Sequence, residues 1–125
     1  MGCEEALRVP TEPRYDVVLA DSVFQYFNDA AYGQKVLERM WAKAGKMVVV
    51  TEVHDQEKKD EHMAYRRKCV ENYDEVYAGL DKTFYTREMF LQFAEEHGGR
   101  CEIVQPDNEL YWNNRFVFDC YLYKE

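Results

Sequence analysis

Two valine-rich runs set the rhythm of this chain: Tyr15-Asp-Val-Val-Leu-Ala20 and Met47-Val-Val-Val-Thr51. Apolar runs of this length, ended by small or polar residues, predict strands covered on both faces. The first spans Tyr15 to Ala20 and stops at Asp21 and Ser22; the second spans Lys46 to Val53. Between them the period changes. Val36, Leu37, Met40 and Trp41 fall on one face of a helix, with Asp29 as an N-cap type of residue and Gly45 as the expected C′ glycine. Strand, helix and strand within this span predict a right-handed parallel βαβ unit.

From Asp55 to about Tyr77 the pattern thins to Met63, Tyr65, Cys69, Val70 and Tyr73 among charged residues, which predicts a helical cover over an opening rather than a core helix. Thr86 is a second N-cap candidate, with Glu88 in the first turn. Met89, Phe90, Phe93 and Ala94 form the stripe of the helix that follows, and Gly98-Gly99 ends it. Two further strands are predicted, Cys101 to Gln105 and Phe116 to Tyr123. Their short link favours antiparallel pairing at the sheet edge. Residues 1–14, which hold Pro10 and Pro13, read as an irregular lead-in to one α/β domain over 15–125.

Length and composition agree with one folded unit. The 125 residues are 46% hydrophobic and 15% aromatic, too apolar for a disordered chain. Sixteen Lys plus Arg stand against 24 Asp plus Glu, a net charge of −8, which argues against a phosphate backbone as partner. The basic cluster Arg66-Arg67-Lys68 reads as a solvated helix face. Cys3, Cys69, Cys101 and Cys120 are scattered without a C-x-x-C, so reduced thiols in a cytoplasmic protein are expected. No apolar run approaches a membrane span, and no membrane partner is expected.

In open α/β sheets ligands bind outside the carboxyl ends of the strands, which singles out Asp21 and Ser22 after the first strand and Glu52 and His54 after the second. A histidine there is a candidate general base, with an ordinary pKa of about 6.5. The commoner fate of such a histidine is an exposed loop residue. Asp21 and Ser22 have their own plainer reading, as caps of the following turn. Glu52, His54, Asp55 and His62 are metal-ligand types, but their spacing matches no zinc or calcium pattern, and no metal is expected. Tyr26, Tyr65, Tyr73, Tyr77, Tyr85, Tyr111 and Trp112 are candidates to line a substrate pocket; core packing is their commoner fate.

The order of elements resembles the carboxyl-terminal half of class I S-adenosylmethionine-dependent methyltransferases. Tyr15-Asp16-Val17-Val18-Leu19 is similar to that family's fourth strand, and Asp21 to Tyr26 to the segment after it. Ala44-Gly45-Lys46 through Val50 is similar to the start of the fifth strand, without its proline and one glycine. Phe84-Tyr85-Thr86 through Gly98 resembles the helix before strand six, and Asn114-Arg115-Phe116 through Lys124 the final strand. The resemblance implies a partial Rossmann-like sheet, three-layered but incomplete: a parallel βαβ unit plus a carboxyl-terminal antiparallel strand.

It also implies chemistry. Asp21, Ser22 and Val23 would face the cofactor, S-adenosylmethionine, and Cys3 stands where the family offers an acidic residue to the adenine. Glu52 and His54 would place the methyl acceptor, a small molecule lined by Tyr26, Tyr65, Tyr111 and Trp112. The family's glycine-rich turn is missing, since the glycines stand at 2, 33, 45, 79, 98 and 99 and form no G-x-G-x-G. Two functions follow: part of a methyltransferase that needs a complementary cofactor-binding half, or an inactive methyltransferase-like module. In either, the open apolar edge at Tyr15–Ala20 predicts a homo-oligomer or a partner chain.

Overall fold

The computed structural model describes residues 3–79, 82–107 and 113–125. Strand β1 (Tyr15–Asp21) leads through a 3-10 turn, Phe24–Tyr26, into helix α1 (Ala30–Lys43) and strand β2 (Ala44–His54). Another 3-10 turn, Gln56–Lys58, opens the cover, which contains α2 (Lys59–Cys69) and α3 (Tyr73–Val76). Then come α4 (Arg87–Glu96), β3 (Arg100–Val104) and β4 (Val117–Tyr123). The four strands form one open sheet in the order β1-β2-β4-β3, with β1 parallel to β2 and the other two pairs antiparallel. This is the expected open α/β sheet, βαβ unit and antiparallel carboxyl-terminal strand included.

Local chemistry explains the element boundaries. Asp29 caps α1 by accepting from the Tyr32 amide at 2.7 Å, and Thr86 caps α4 by accepting from Met89 at 3.2 Å. Gly98, at φ +71°, turns the chain out of α4 in a backbone region that a Cβ disfavours. Gly45 does not play the matching part for α1. The helix passes directly into β2 through Ala44, which is extended at φ −79°, ψ 135°, so no left-handed residue is required. The lead-in is also more regular than its prolines suggested: Cys3–Arg8 forms a 3-10 helix, and Ala6 and Leu7 pack on the core.

Val48 and Val50 of β2, with Cys120 and Leu122 of β4, face Leu37 and Met40 of α1 and Phe90 and Phe93 of α4. Alternation along the strands puts Val17, Leu19, Met47 and Val49 on the opposite face. Two of the three expected layers are therefore built. Helix α1 holds Gly33 against the Tyr85 ring, where an added Cβ would collide with the phenol. The Tyr85 hydroxyl in turn donates to the Phe24 carbonyl at 2.8 Å, locking the end of the cover, just before α4, to the turn after β1.

The full coverage expected of the first strand is not found. β1 is outermost, and Tyr15, Val17 and Leu19 are 56%, 47% and 60% exposed. The run reads as an interior strand because it is apolar on both of its faces, yet one flank and one face lack a neighbour among the described residues.

Candidate functional site

The carboxyl ends of β1 and β2 meet the start of β4 around a polar cavity of about 370 Å³, lined by Leu19, Asp21, Thr51, Glu52, Pro106, Asn114 and Asp119. Two strained residues shape it. Ser22 and Glu52 adopt left-handed backbone at φ 59° and 54°, which non-glycine residues reach at a cost of roughly 1–3 kcal/mol. Ser22 turns the chain sharply off β1, while its amide still donates to the Thr51 carbonyl at 3.3 Å. Glu52 sits where the β2–β4 register slips between Val50 and Val53. The slip is a β-bulge, and its displaced Glu52 amide is met by the Asp119 carboxylate at 2.9 Å. Asp21 is tied down as well, accepting from the Thr51 hydroxyl at 2.5 Å.

Three carboxylates, those of Asp21, Glu52 and Asp119, thus line one recess at the expected crevice. A cation is favoured there over an anion. Leu19 and Asp21 also line a second, apolar groove of about 380 Å³ along β1 and α1, floored by Val18, Ala20, Val23, Val36 and Met40. Arg39 and Lys43 border this groove but are spent on the lead-in, donating to the carbonyls of Val9 and Pro10 at 2.8 Å each.

His54 stands apart from both cavities. It is 2% exposed, so the exposed-loop reading fails. Its ring lies 4.8 Å from that of His62 and 5.3 Å from Phe84, beneath α2. Burial, then the charges of His62, Arg66 and Lys82, pushes its pKa down to about 3. His62, fully buried and stacked on Phe116 at 4.6 Å, is lowered to about 4 by burial and by Arg66, against a hydrogen bond with Asn113. The Arg66 Nε donates to His62 Nε2 at 3.0 Å. Both imidazoles are neutral at pH 7 and act here as packing rings that seat the cover. Asp55 is also structural: its buried carboxylate accepts from Arg87 at 3.2 Å and from the Glu57 amide at 3.0 Å.

Tyr26 and Tyr65, the described members of the proposed substrate lining, do not converge. Tyr26 is exposed, with the Lys82 ammonium 4.0 Å above its ring. Tyr65 lines a separate recess on α2 with Arg66, Cys69 and Val70. Tyr111 and Trp112 lie outside the described residues, as does the side chain of Cys3. Of the sequence candidates, Asp21 and Glu52 share the polar cavity, Ser22 turns the chain at its rim, and Val23 falls in the apolar groove. Asp119 escaped sequence reading because it looks like a polar break in an alternating strand; only the bulge brings it to Glu52. Among the described residues no group of three His, Cys, Asp or Glu side chains is placed to hold a metal ion.

The fold has counterparts among solved structures. Magnesium protoporphyrin IX methyltransferase from Synechocystis PCC 6803, with bound SAH, superposes with a TM-score of 0.67 at 7% identity, over 96% of this chain and 48% of the other. An O-methyltransferase family protein from Burkholderia thailandensis superposes with a TM-score of 0.59 at 11% identity, over 100% of this chain and 34% of the other. The chain has a methyltransferase-like fold. No protein-family model and no curated protein matches the sequence. The chain spans half or less of the length of these methyltransferase-like neighbours. Among the described residues no helix is long and apolar enough to cross a membrane.

Proposed function

We propose that this chain is part of an S-adenosylmethionine-dependent methyltransferase acting on a small molecule, and that it works together with a complementary half seated against β1. The observation carrying this reading is the junction at Leu19 and Asp21. There an acidic recess at the strand ends opens beside an apolar groove on an uncovered sheet edge. The chain fits one end of the cofactor. Carboxylates at Asp21, Glu52 and Asp119 suit a ligand bearing a sulfonium cation, and Asp21, Ser22 and Val23 lie along its approach. The sequence offers no glycine-rich turn to cradle the remainder.

Bound, the cofactor would supply an activated methyl group; the chain's own residues position and shield. Glu52, fixed by the bulge, orients the acceptor, and His54 keeps the cover seated behind it. A place in the cytoplasm belongs to the same proposal, supported by free thiols at Cys69, Cys101 and Cys120. The competing reading is an inactive methyltransferase-like module that dimerises through β1, favoured by the exposure of Tyr15, Val17 and Leu19.

Titration calorimetry with S-adenosylmethionine, run beside sedimentation of the same sample, separates the two. Micromolar binding by the chain alone, or binding that appears once a complementary polypeptide is added, supports the enzyme reading. Absence of heat in both settings, with a stable dimer, overturns it in favour of the module.

A further inference from the structure

Away from the strand-end cavity, two cysteines with no part in the proposed chemistry face each other across the last antiparallel pair. Cys101 of β3 registers with Leu122, and Ile103 with Cys120 of β4, so the two cysteines are diagonal neighbours on the same face. Their sulfurs lie 3.5 Å apart. Cys120 is fully buried, whereas Cys101 is half-buried at the margin of the core.

We propose that Cys101 and Cys120 form an oxidisable thiol pair that a hydroperoxide converts into a disulfide between β3 and β4. In the first step the Cys101 thiolate attacks the hydroperoxide. An S–O bond forms, the O–O bond breaks, and the departing alkoxide or hydroxide takes up a proton, leaving Cys101 as a sulfenic acid. In the second, the Cys120 sulfur attacks the Cys101 sulfur. The S–S bond forms, the S–O bond breaks, and hydroxide leaves with the Cys120 proton as water. Two thiols have then lost two electrons, and the hydroperoxide has been reduced to its alcohol or to water.

The division of labour follows from the environment. The hydrogen bond with Cys120 favours the Cys101 thiolate, while that same pairing, and then burial, pushes the Cys120 thiol up. The half-buried sulfur is the nucleophile and the fully buried one resolves it. Reaching a bond of about 2.05 Å requires the sulfurs to close by roughly 1.5 Å, and since diagonal neighbours sit about 7–8 Å apart, β3 and β4 must shift toward each other as it forms. The bond would also close the segment that brings Pro106, Asn114 and Asp119 to the polar cavity, so oxidation would tie down one wall of it.

The test is peroxide treatment of the folded protein at neutral pH, followed by intact mass and a non-reduced peptide map. Loss of two hydrogens with a Cys101–Cys120 crosslink, reversed by dithiothreitol, is the expected result. The Cys120→Ser variant should stop at a Cys101 sulfenic acid trapped by dimedone, and Cys101→Ser should leave Cys120 unmodified. Should either variant fail to fold, the wild-type map alone decides. Unchanged thiols, crosslinks through Cys3 or Cys69 instead, or added oxygen on Cys101 without a crosslink would each overturn the proposal.

Discussion

Glu52 concentrates the tension between stability and chemistry in one residue. Its left-handed backbone, φ 54°, costs any side chain bearing a Cβ but not glycine. At ordinary positions alanine is the more stabilising of the two; here the order should invert. Urea unfolding of Glu52→Gly and Glu52→Ala is expected to place the glycine variant about 1 kcal/mol above the alanine one. Both lack the carboxylate, so its loss cancels in the comparison. A glycine variant equal to or weaker than the alanine one would show that the bulge carries no strain. The buried imidazoles give a second prediction at this scale. Their folded pKa values, about 3 for His54 and about 4 for His62, lie below the ordinary 6.5. Well above pH 6.5 both states hold them neutral and they contribute no slope. As pH falls from there toward 4 and then 3, the unfolded chain takes up protons that the fold refuses, and stability drops. Between pH 7 and 5 the wild type should lose about 3–4 kcal/mol in urea titrations through this pair, about 2 kcal/mol for each ring. A His54→Phe/His62→Phe double variant should lose distinctly less, and parallel pH profiles would contradict the assignment.

At the scale of elements, the parts fixed by local chemistry were legible and those fixed by tertiary context were not. Asp29 and Thr86 could be read as caps because a short side chain reaching the amide three residues on needs nothing beyond its own turn. Asp29→Ala should accordingly destabilise the chain by about 1 kcal/mol with α1 otherwise intact, as read by chemical unfolding with circular dichroism. A change below about 0.3 kcal/mol would mean that packing on the sheet alone fixes the start of α1. Gly45 misled because glycine marks helix ends only when a left-handed residue is required, and α1 enters β2 without one. His54 misled differently. Its position after a strand suggested exposure, but Tyr85 draws the cover across it, donating its amide to the His54 carbonyl at 2.8 Å and accepting from Gln56 at 2.8 Å. No local pattern announces a contact between residues 31 apart. The cavity was half legible for the same reason: Asp21 and Glu52 follow from strand ends, Asp119 only from the register slip.

At the scale of the whole molecule, the exposed flank of β1 ties fold to function. A strand with Val17 and Leu19 exposed on one face and Val18 and Ala20 turned to the core has the composition of an interior strand at an outer position. Among the described residues its outer edge pairs with no other strand, and such an edge is the feature through which sheets recruit another chain. If a neighbour seats there, charge on that face should abolish association and leave the fold nearly unchanged, because an exposed substitution costs little by itself. Leu19→Lys is the sharpest choice, being 60% exposed yet bordering both the apolar groove and the acidic recess. Its unfolding free energy should stay within about 0.5 kcal/mol of wild type. Sedimentation equilibrium should show any self-association, or capture of a complementary half, weakened at least tenfold, about 1.4 kcal/mol. A variant that associates as well as wild type would place the partner elsewhere. One that unfolds would show that β1 supports the chain's own core more than its exposure implies. The first outcome removes the link between the open edge and the strand-end cavity, and with it the reason to join this chain's carboxylates to a cofactor held from the far side of β1.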